Sequence, residues 1–174
     1  AFDVCPANIV MNALSARLGF AYDPEGSLAA AGQIDQPLLS TLNTLPFYMQ
    51  PAPKSLGKEW VVENIFPMME SMDSNVNDLL ATFCEHIAMQ VAAASGVNQG
   101  VQMLITGGGA FNKFLVERIR HHAAASIYLP DPLTINFKEA LIFAFLGVLR
   151  LRGEVNCLQS VTGASASSSS GAIY

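Results

Sequence analysis

The chain has 174 residues, of which 51% are hydrophobic and 13% charged, with a formal net charge of −5 and a mean hydropathy of +0.35. That length suits one domain with a real core, and an acidic balance without a basic stripe argues against nucleic acid as a partner. The apolar excess calls for a covering surface (another domain, a missing part of the same protein, or a second copy in a homodimer). No membrane is expected, because the longest apolar run, Ala140 to Leu149, is too short to span one.

In chain order, Asp3 reads as the end of a strand. Pro6 to Leu18 reads as a helix with Ile9, Val10, Ala13, Leu14 and Leu18 on one face and Gly19 as its stop. Asp23-Pro24-Glu25-Gly26 is a turn signal, and Ser27 to Ala31 and Gln36 to Leu45 follow as short helices separated by Gly32. Pro46, Pro51 and Pro53 make Leu45 to Gly57 an extended loop. Asn75 or Asn77 caps a long helix to about Ala94, with Val76, Leu79, Leu80, Phe83, Ile87 and Val91 at helical spacing. Val101 to Ile105 reads as a buried strand that breaks into three glycines, and a helix begins near Asn112 and runs to about His122. A strand Ser126 to Leu129, a Pro-Asp-Pro turn and a helix from Phe137 to about Arg152 follow. The serine run Ser165 to Ser170 reads as a mobile loop before a short terminal strand, Ala172 to Tyr174. Helices dominate over a few strands, which is an α/β or α+β pattern.

Gly107-Gly108-Gly109-Ala110 is the most informative stretch. Strand, glycine turn and helix let a ligand lie against the main chain near unpaired helix N–H groups, as in nucleotide sites of α/β proteins; a tight turn with no ligand is the equal alternative. Asp3 at a strand's carboxyl edge suits a general base, or else is a helix cap. Asn8 and Asn12, four apart on one helical face, suit a polar ligand or solvent. Lys54, in the proline-stiffened loop with Ser55 and Glu59, suits an anionic group as a point charge, or is simply solvated. Glu139 opens an otherwise apolar helix, where it either aims into a sugar cleft or merely complements the dipole. Cys5, Cys84 and Cys157 are odd in number with no C-x-x-C, which points away from disulfides and zinc and toward a reducing cytoplasm. His86, His121 and His122 lack neighbouring ligands, so no metal site is expected. The chain opens without a methionine or a leader and enters a motif at once, which reads as a fragment.

In this order, the segments resemble the carboxyl-terminal part of anhydro-N-acetylmuramic acid kinase, over essentially all 174 residues. The resemblance is carried by Phe2-Asp3 with Pro6 and Asn8, Tyr22-Asp23 with Gly26 and Ala29-Ala30, and Pro53-Lys54-Ser55 with Gly57 and Glu59. It continues through Gly107 to Asn112, Glu139-Ala140, Ser160 to Ala164 and Gly171 to Tyr174. The resemblance implies a ribonuclease-H-like half of an actin-like ATPase, a small central sheet covered by several helices. Residues 1–174 would then form a single carboxyl-terminal domain of a two-domain cytoplasmic kinase. It implies that ATP and an amino sugar are bound, that the 1,6-anhydro ring is opened by water, and that O6 is phosphorylated in peptidoglycan recycling. Asp3 matches the catalytic base and Glu139 a sugar-binding carboxylate, with Asn8 beside the substrate. Gly107 to Ala110 match the adenosine-side nucleotide motif. Mg²⁺ would be held mainly by the missing amino-terminal domain, and the fragment would be inactive alone. Two features depart from the family pattern. Val4-Cys5-Pro6-Ala7-Asn8 stands where Gly-Pro-Gly-Asn is usual, and Asn12 stands where an aspartate is usual. The alternative they raise is a non-catalytic nucleotide- or sugar-binding, or chaperone-like, relative. A ribonuclease-type nuclease would need a carboxylate cluster that the strand ends do not offer.

Overall fold

A computed structural model describes residues 1–71, 74–96 and 100–173. It divides into two compact units, Phe2–Pro130 and the segment from Asp131 onward. The first unit runs α1 (Asn8–Ala16), a 3₁₀ turn (Pro24–Gly26), α2 (Ser27–Ala30), α3 (Gln36–Asn43), α4 (Pro46–Met49), α5 (Lys58–Asn64) and α6 (Phe66–Ser71). It continues with α7 (Val76–Ser95), β1 (Gln102–Leu104), a second 3₁₀ turn (Gly108–Phe111), α8 (Lys113–His122) and β2 (Ser126–Tyr128). Helices with a small parallel sheet make this an α/β arrangement.

Helix α7 is the centre of the first unit. Asn75 caps it by accepting from the Asp78 N–H at 2.9 Å, and its expected apolar positions Leu79, Leu80, Phe83 and Ile87 are buried. Burial of such a side chain stabilises by roughly 1.5–3 kcal/mol, so this face outweighs any local propensity. Helices α1, α2, α3 and α8 pack around it. Gly32 permits the close approach near α2, since a Cβ there would stand 2.1 Å from the Asn77 carbonyl oxygen. Because α7 is covered on several sides, Thr82, Glu85 and His86 are buried as well, beyond what an amphipathic stripe requires.

Several local expectations are corrected. Residues 1–5 form no strand, because the Asp3 N–H to Lys54 carbonyl bond of 3.0 Å is one link and not a repeating ladder. In α1, Met11 and Ser15 join Val10 and Leu14 in the interior, whereas Ile9, Ala13 and Leu18 are exposed. Pro46 does not extend its loop throughout: placed at a first helical position, where its missing N–H costs nothing, it starts α4. Lys58 to Ser71, which carried no sequence assignment, forms α5 and α6. Strand β1 is not fully buried. It pairs in parallel with β2, Gln102 opposite Ser126 and Leu104 opposite Tyr128. Met103 and Ile127 pack on the core, while Leu104 and Tyr128 are exposed.

The second unit holds α9 (Pro132–Leu151) and α10 (Gln159–Thr162). Helix α9 starts five residues before the expected Phe137, because Asp131 caps it (Thr134 N–H to Oδ1, 3.0 Å) and Pro132 occupies the first turn. It is 20 residues long, with Leu133, Phe137, Leu141, Phe143 and Leu151 exposed. Among the described residues it is the one helix long and apolar enough to cross a bilayer, which the uninterrupted run Ala140 to Leu149 alone did not suggest. A helix whose apolar surface a partner covers meets the same two criteria, and Lys138 and Glu139 within it would be costly in lipid. The serine run is tied down rather than loose. Ser168 pairs with Cys157, Asn156 exchanges hydrogen bonds of 3.0 and 2.8 Å with the Ser170 backbone, and Arg150 Nε donates to the Gly171 carbonyl at 2.8 Å. Residues 171–173 form no strand, and Tyr174 lies outside the described residues.

His86 yields a stability prediction. Its Nδ1 donates to Asn43 Oδ1 at 2.7 Å and its Nε2 accepts from the Tyr48 hydroxyl at 2.9 Å, an arrangement that suits the neutral ring. Burial pushes its pKa down from 6.5 to about 4. Between those values the unfolded chain holds a proton that the folded chain does not. Stability from this residue is therefore complete above about pH 6.5 and is lost as pH falls toward 4, by about 3 kcal/mol in all. Urea denaturation across that range is expected to show the decline, and a His86→Gln variant is expected to flatten it.

Candidate functional site

The glycine turn is built by dihedrals and by one asparagine. Gly107 adopts φ +79°, which side-chain-bearing residues rarely do, and its carbonyl accepts the Ala110 N–H at 3.0 Å. Ala110 is buried and its amide is used inside the turn, so within Gly107 to Ala110 the surface offered to a ligand is that of Gly108 and Gly109. Asn112 then joins three elements. Its N–H donates to the Gly109 carbonyl at 3.1 Å, its Oδ1 accepts the Leu115 N–H at 2.9 Å to cap α8, and its Nδ2 lies 3.9 Å from Met11 Sδ on α1.

Asn8 and Asn12 face this turn. A Cβ on Gly108 would stand 3.3 Å from Asn8 Nδ2, and one on Gly109 would stand 3.9 Å from Asn8 Oδ1. The space between is a cavity of about 360 Å³, within the range of small-molecule sites. Tyr22 and Phe111, both exposed, also line it, as do Asp23 and Glu25. The structure thus brings Asn8 to the glycine turn, although the sequence reading set the two apart. The pattern at 22–26 named a turn but not a cavity wall. Its readable signals were the turn pattern ending in Gly26 and the Tyr22-Asp23 pair that belongs to the family resemblance.

Asp3 stands in a different place. It lines a cavity of about 220 Å³ with Cys5, Pro6, Leu56 and Lys58. It caps no helix: α1 is preceded by Ala7 without any side-chain cap. Asp3 Oδ2 instead accepts from the Leu56 N–H at 2.7 Å and from Ser55 Oγ at 3.2 Å. Beside it, burial pushes the Cys5 thiol up to about 12 against the opposing pull of Lys54, so it stays a neutral thiol at neutral pH. Lys54 is half-buried and tied to the loop's own main chain. Its Nζ donates to the carbonyls of Phe47 (3.0 Å) and Tyr48 (3.3 Å) and lies 4.6 Å from the Phe47 ring centroid.

Glu139 belongs to the second unit and is exposed in the third turn of α9. Because Asp131 caps that helix eight residues earlier, Glu139 does not open it, and the dipole account of this carboxylate falls away. His86 and His122 are engaged elsewhere in the fold. His122 Nε2 and Arg118 Nη2 both donate to Glu85 Oε1, at 2.7 and 2.8 Å. Burial pushes the Glu85 carboxyl up, but hydrogen bonds from Arg118 and His122 outweigh it and hold the group below its usual value. Among the described residues no three Asp, Glu, His or Cys side chains converge on a metal position.

The model of one protein family, anhydro-N-acetylmuramic acid kinase, matches residues 1–174. The chain belongs to that family. It is 33% identical to the anhydro-N-acetylmuramic acid kinase of Saccharophagus degradans, across 99% of this chain and 49% of that protein. The corresponding values are 34%, 99% and 46% for the enzyme so named from Streptomyces coelicolor, and 32%, 99% and 49% for that from Aliivibrio fischeri. The chain therefore spans about half the length of the curated relatives it matches.

Within this kinase family member, Gly26 is the residue on which the cavity wall turns. It has φ +79°, and a Cβ there would lie 2.2 Å from Asn112 Oδ1 and 2.9 Å from the Phe114 nitrogen. Gly26→Ala is expected to destabilise the chain by about 2–4 kcal/mol through clash and dihedral strain together. Gly19→Ala, at φ +84° in open space, is expected to cost only about 1 kcal/mol. Chemical denaturation of the two variants checks the difference.

Proposed function

We propose that this chain is the carboxyl-terminal, ribonuclease-H-like half of a cytoplasmic anhydro-N-acetylmuramic acid kinase. In this reading the whole protein opens the 1,6-anhydro ring and phosphorylates the sugar from ATP, and the chain alone is inactive. Family membership over the full chain is the observation that carries the reading. Water adds at the anomeric carbon, the bond from that carbon to O6 breaks, O6 takes the γ-phosphoryl group, ADP leaves, and the proton of water passes to Asp3.

The residues present suit these roles. The 360 Å³ cavity joins a glycine surface at Gly108 and Gly109, carboxamides at Asn8 and Asn12, and two exposed aromatic rings, Tyr22 and Phe111. That is a fit for the nucleoside end of a nucleotide, with rings to lie against a base and amides to bond its edges. Asn8 is accordingly assigned to the nucleotide rather than to the sugar. Asp3, held by its neighbours through one oxygen, is the base that takes the proton from water. Glu139 is assigned to the amino sugar, and Mg²⁺ to the part of the protein outside this chain. The apolar face of α9 is assigned to an interface with that missing domain.

The deciding measurement supplies the full-length protein with ATP and 1,6-anhydro-N-acetylmuramic acid and follows sugar phosphate formation, beside an Asp3→Asn variant. Turnover in the parent that falls at least about a hundredfold in the variant is the expected result. A parent that binds ATP without turnover would instead indicate the non-catalytic relative.

A further inference from the structure

We propose that Ser55 is a positioning residue for the Asp3 carboxylate, acting together with the backbone of Lys54 and Leu56. The role rests on Asp3 being the base. Three hydrogen bonds join Asp3 to this tripeptide: Ser55 Oγ to Oδ2 at 3.2 Å, Leu56 N–H to Oδ2 at 2.7 Å, and Asp3 N–H to the Lys54 carbonyl at 3.0 Å. Asp3 lies on no helix or strand, and its side chain is exposed.

The pattern of donors matters more than their number. Both side-chain bonds converge on Oδ2, and among the described residues none donates to Oδ1. One oxygen is held while the other stays open to take a proton. A carboxylate fixed in this way presents its basic lone pair in one direction, and misplacement by about 1 Å can lower a rate about a hundredfold.

The loop that does the holding is itself anchored. Lys54 Nζ is bound to the carbonyls of Phe47 and Tyr48, and Pro51 and Pro53 limit the freedom of the segment before it. Lys54 is thus the anchor and Ser55 the contact. A purely architectural role, stapling residues 1–5 to the body of the unit, would make the hydroxyl irrelevant to the chemical step.

The test uses the full-length protein with ATP and 1,6-anhydro-N-acetylmuramic acid, and compares Ser55→Ala, Ser55→Thr and Asp3→Asn. Ser55→Ala is expected to lower kcat by about ten- to a hundredfold while both KM values stay within about twofold. Ser55→Thr keeps the hydroxyl and is expected to recover most of the loss. An unchanged kcat in Ser55→Ala, a loss confined to KM, or a threonine no better than alanine would each overturn the positioning role. Asp3→Asn separates the two claims. If it is inactive and Ser55→Ala is fully active, only the positioning role falls. If Asp3→Asn turns over like the parent, Asp3 is not the base and both fall.

Discussion

Two adjacent polar residues buried in α7 hold the first unit together around its candidate sites. Glu85 faces α8 and binds Arg118 and His122, and α8 carries the glycine turn at its start. His86 faces the other way, toward Asn43 on α3 and Tyr48 on α4. The carbonyls of Phe47 and Tyr48 on α4 hold Lys54, and the Lys54–Leu56 loop holds Asp3. Neither residue can lose its partners cheaply, because a buried charge or ring nitrogen left unpaired costs its full desolvation. One helix thereby fixes both the surface assigned to the nucleotide and the carboxylate assigned to the water.

The two places are built by different means. The cavity beside Gly108 has a glycine floor at Gly108 and Gly109 and polar and aromatic side-chain walls, joined by Asn112, which links turn, helix and α1. A Cβ on Gly108 would press on Asn8, and one on Gly26 would strike the Asn112 that joins the wall to α8. The Asp3 site is made of side-chain and amide hydrogen bonds on an irregular segment. There Cys5 and Ala7 stand at the two positions where the family resemblance leads one to expect glycine, and Asp3 is still held by Ser55 and Leu56. Glu139 is carried by the other unit, on a helix whose exposed apolar residues are consistent with a covering partner.

Features that depend on neighbours in sequence were legible without coordinates. Asn75 and Asn112 act as caps because an asparagine before an apolar-periodic stretch satisfies N–H groups three residues on. The turn at Asp23 to Gly26 and the helical face of Leu79, Leu80, Phe83 and Ile87 follow from the same local rules. Helices α5 and α6 escaped notice because proline and mixed polar residues interrupt their periodicity. The start of α9 was hidden by Pro130 and Pro132, which mark a turn and a first helical position equally well.

Residue identity, spacing and backbone freedom were enough to read the family resemblance, the capped helix α7 with its apolar face, and the glycine turn at Gly107. Which side chains meet depends on the fold. Asn8 meets Gly108 across about 100 positions of chain, and Asp3 meets Ser55 across about 50. Lys54 binds the carbonyls of Phe47 and Tyr48, seven and six positions before it. Such pairings follow from which faces α7 forces together when it is buried. Hydrogen bonds between residues far apart in sequence leave no periodic trace along the chain.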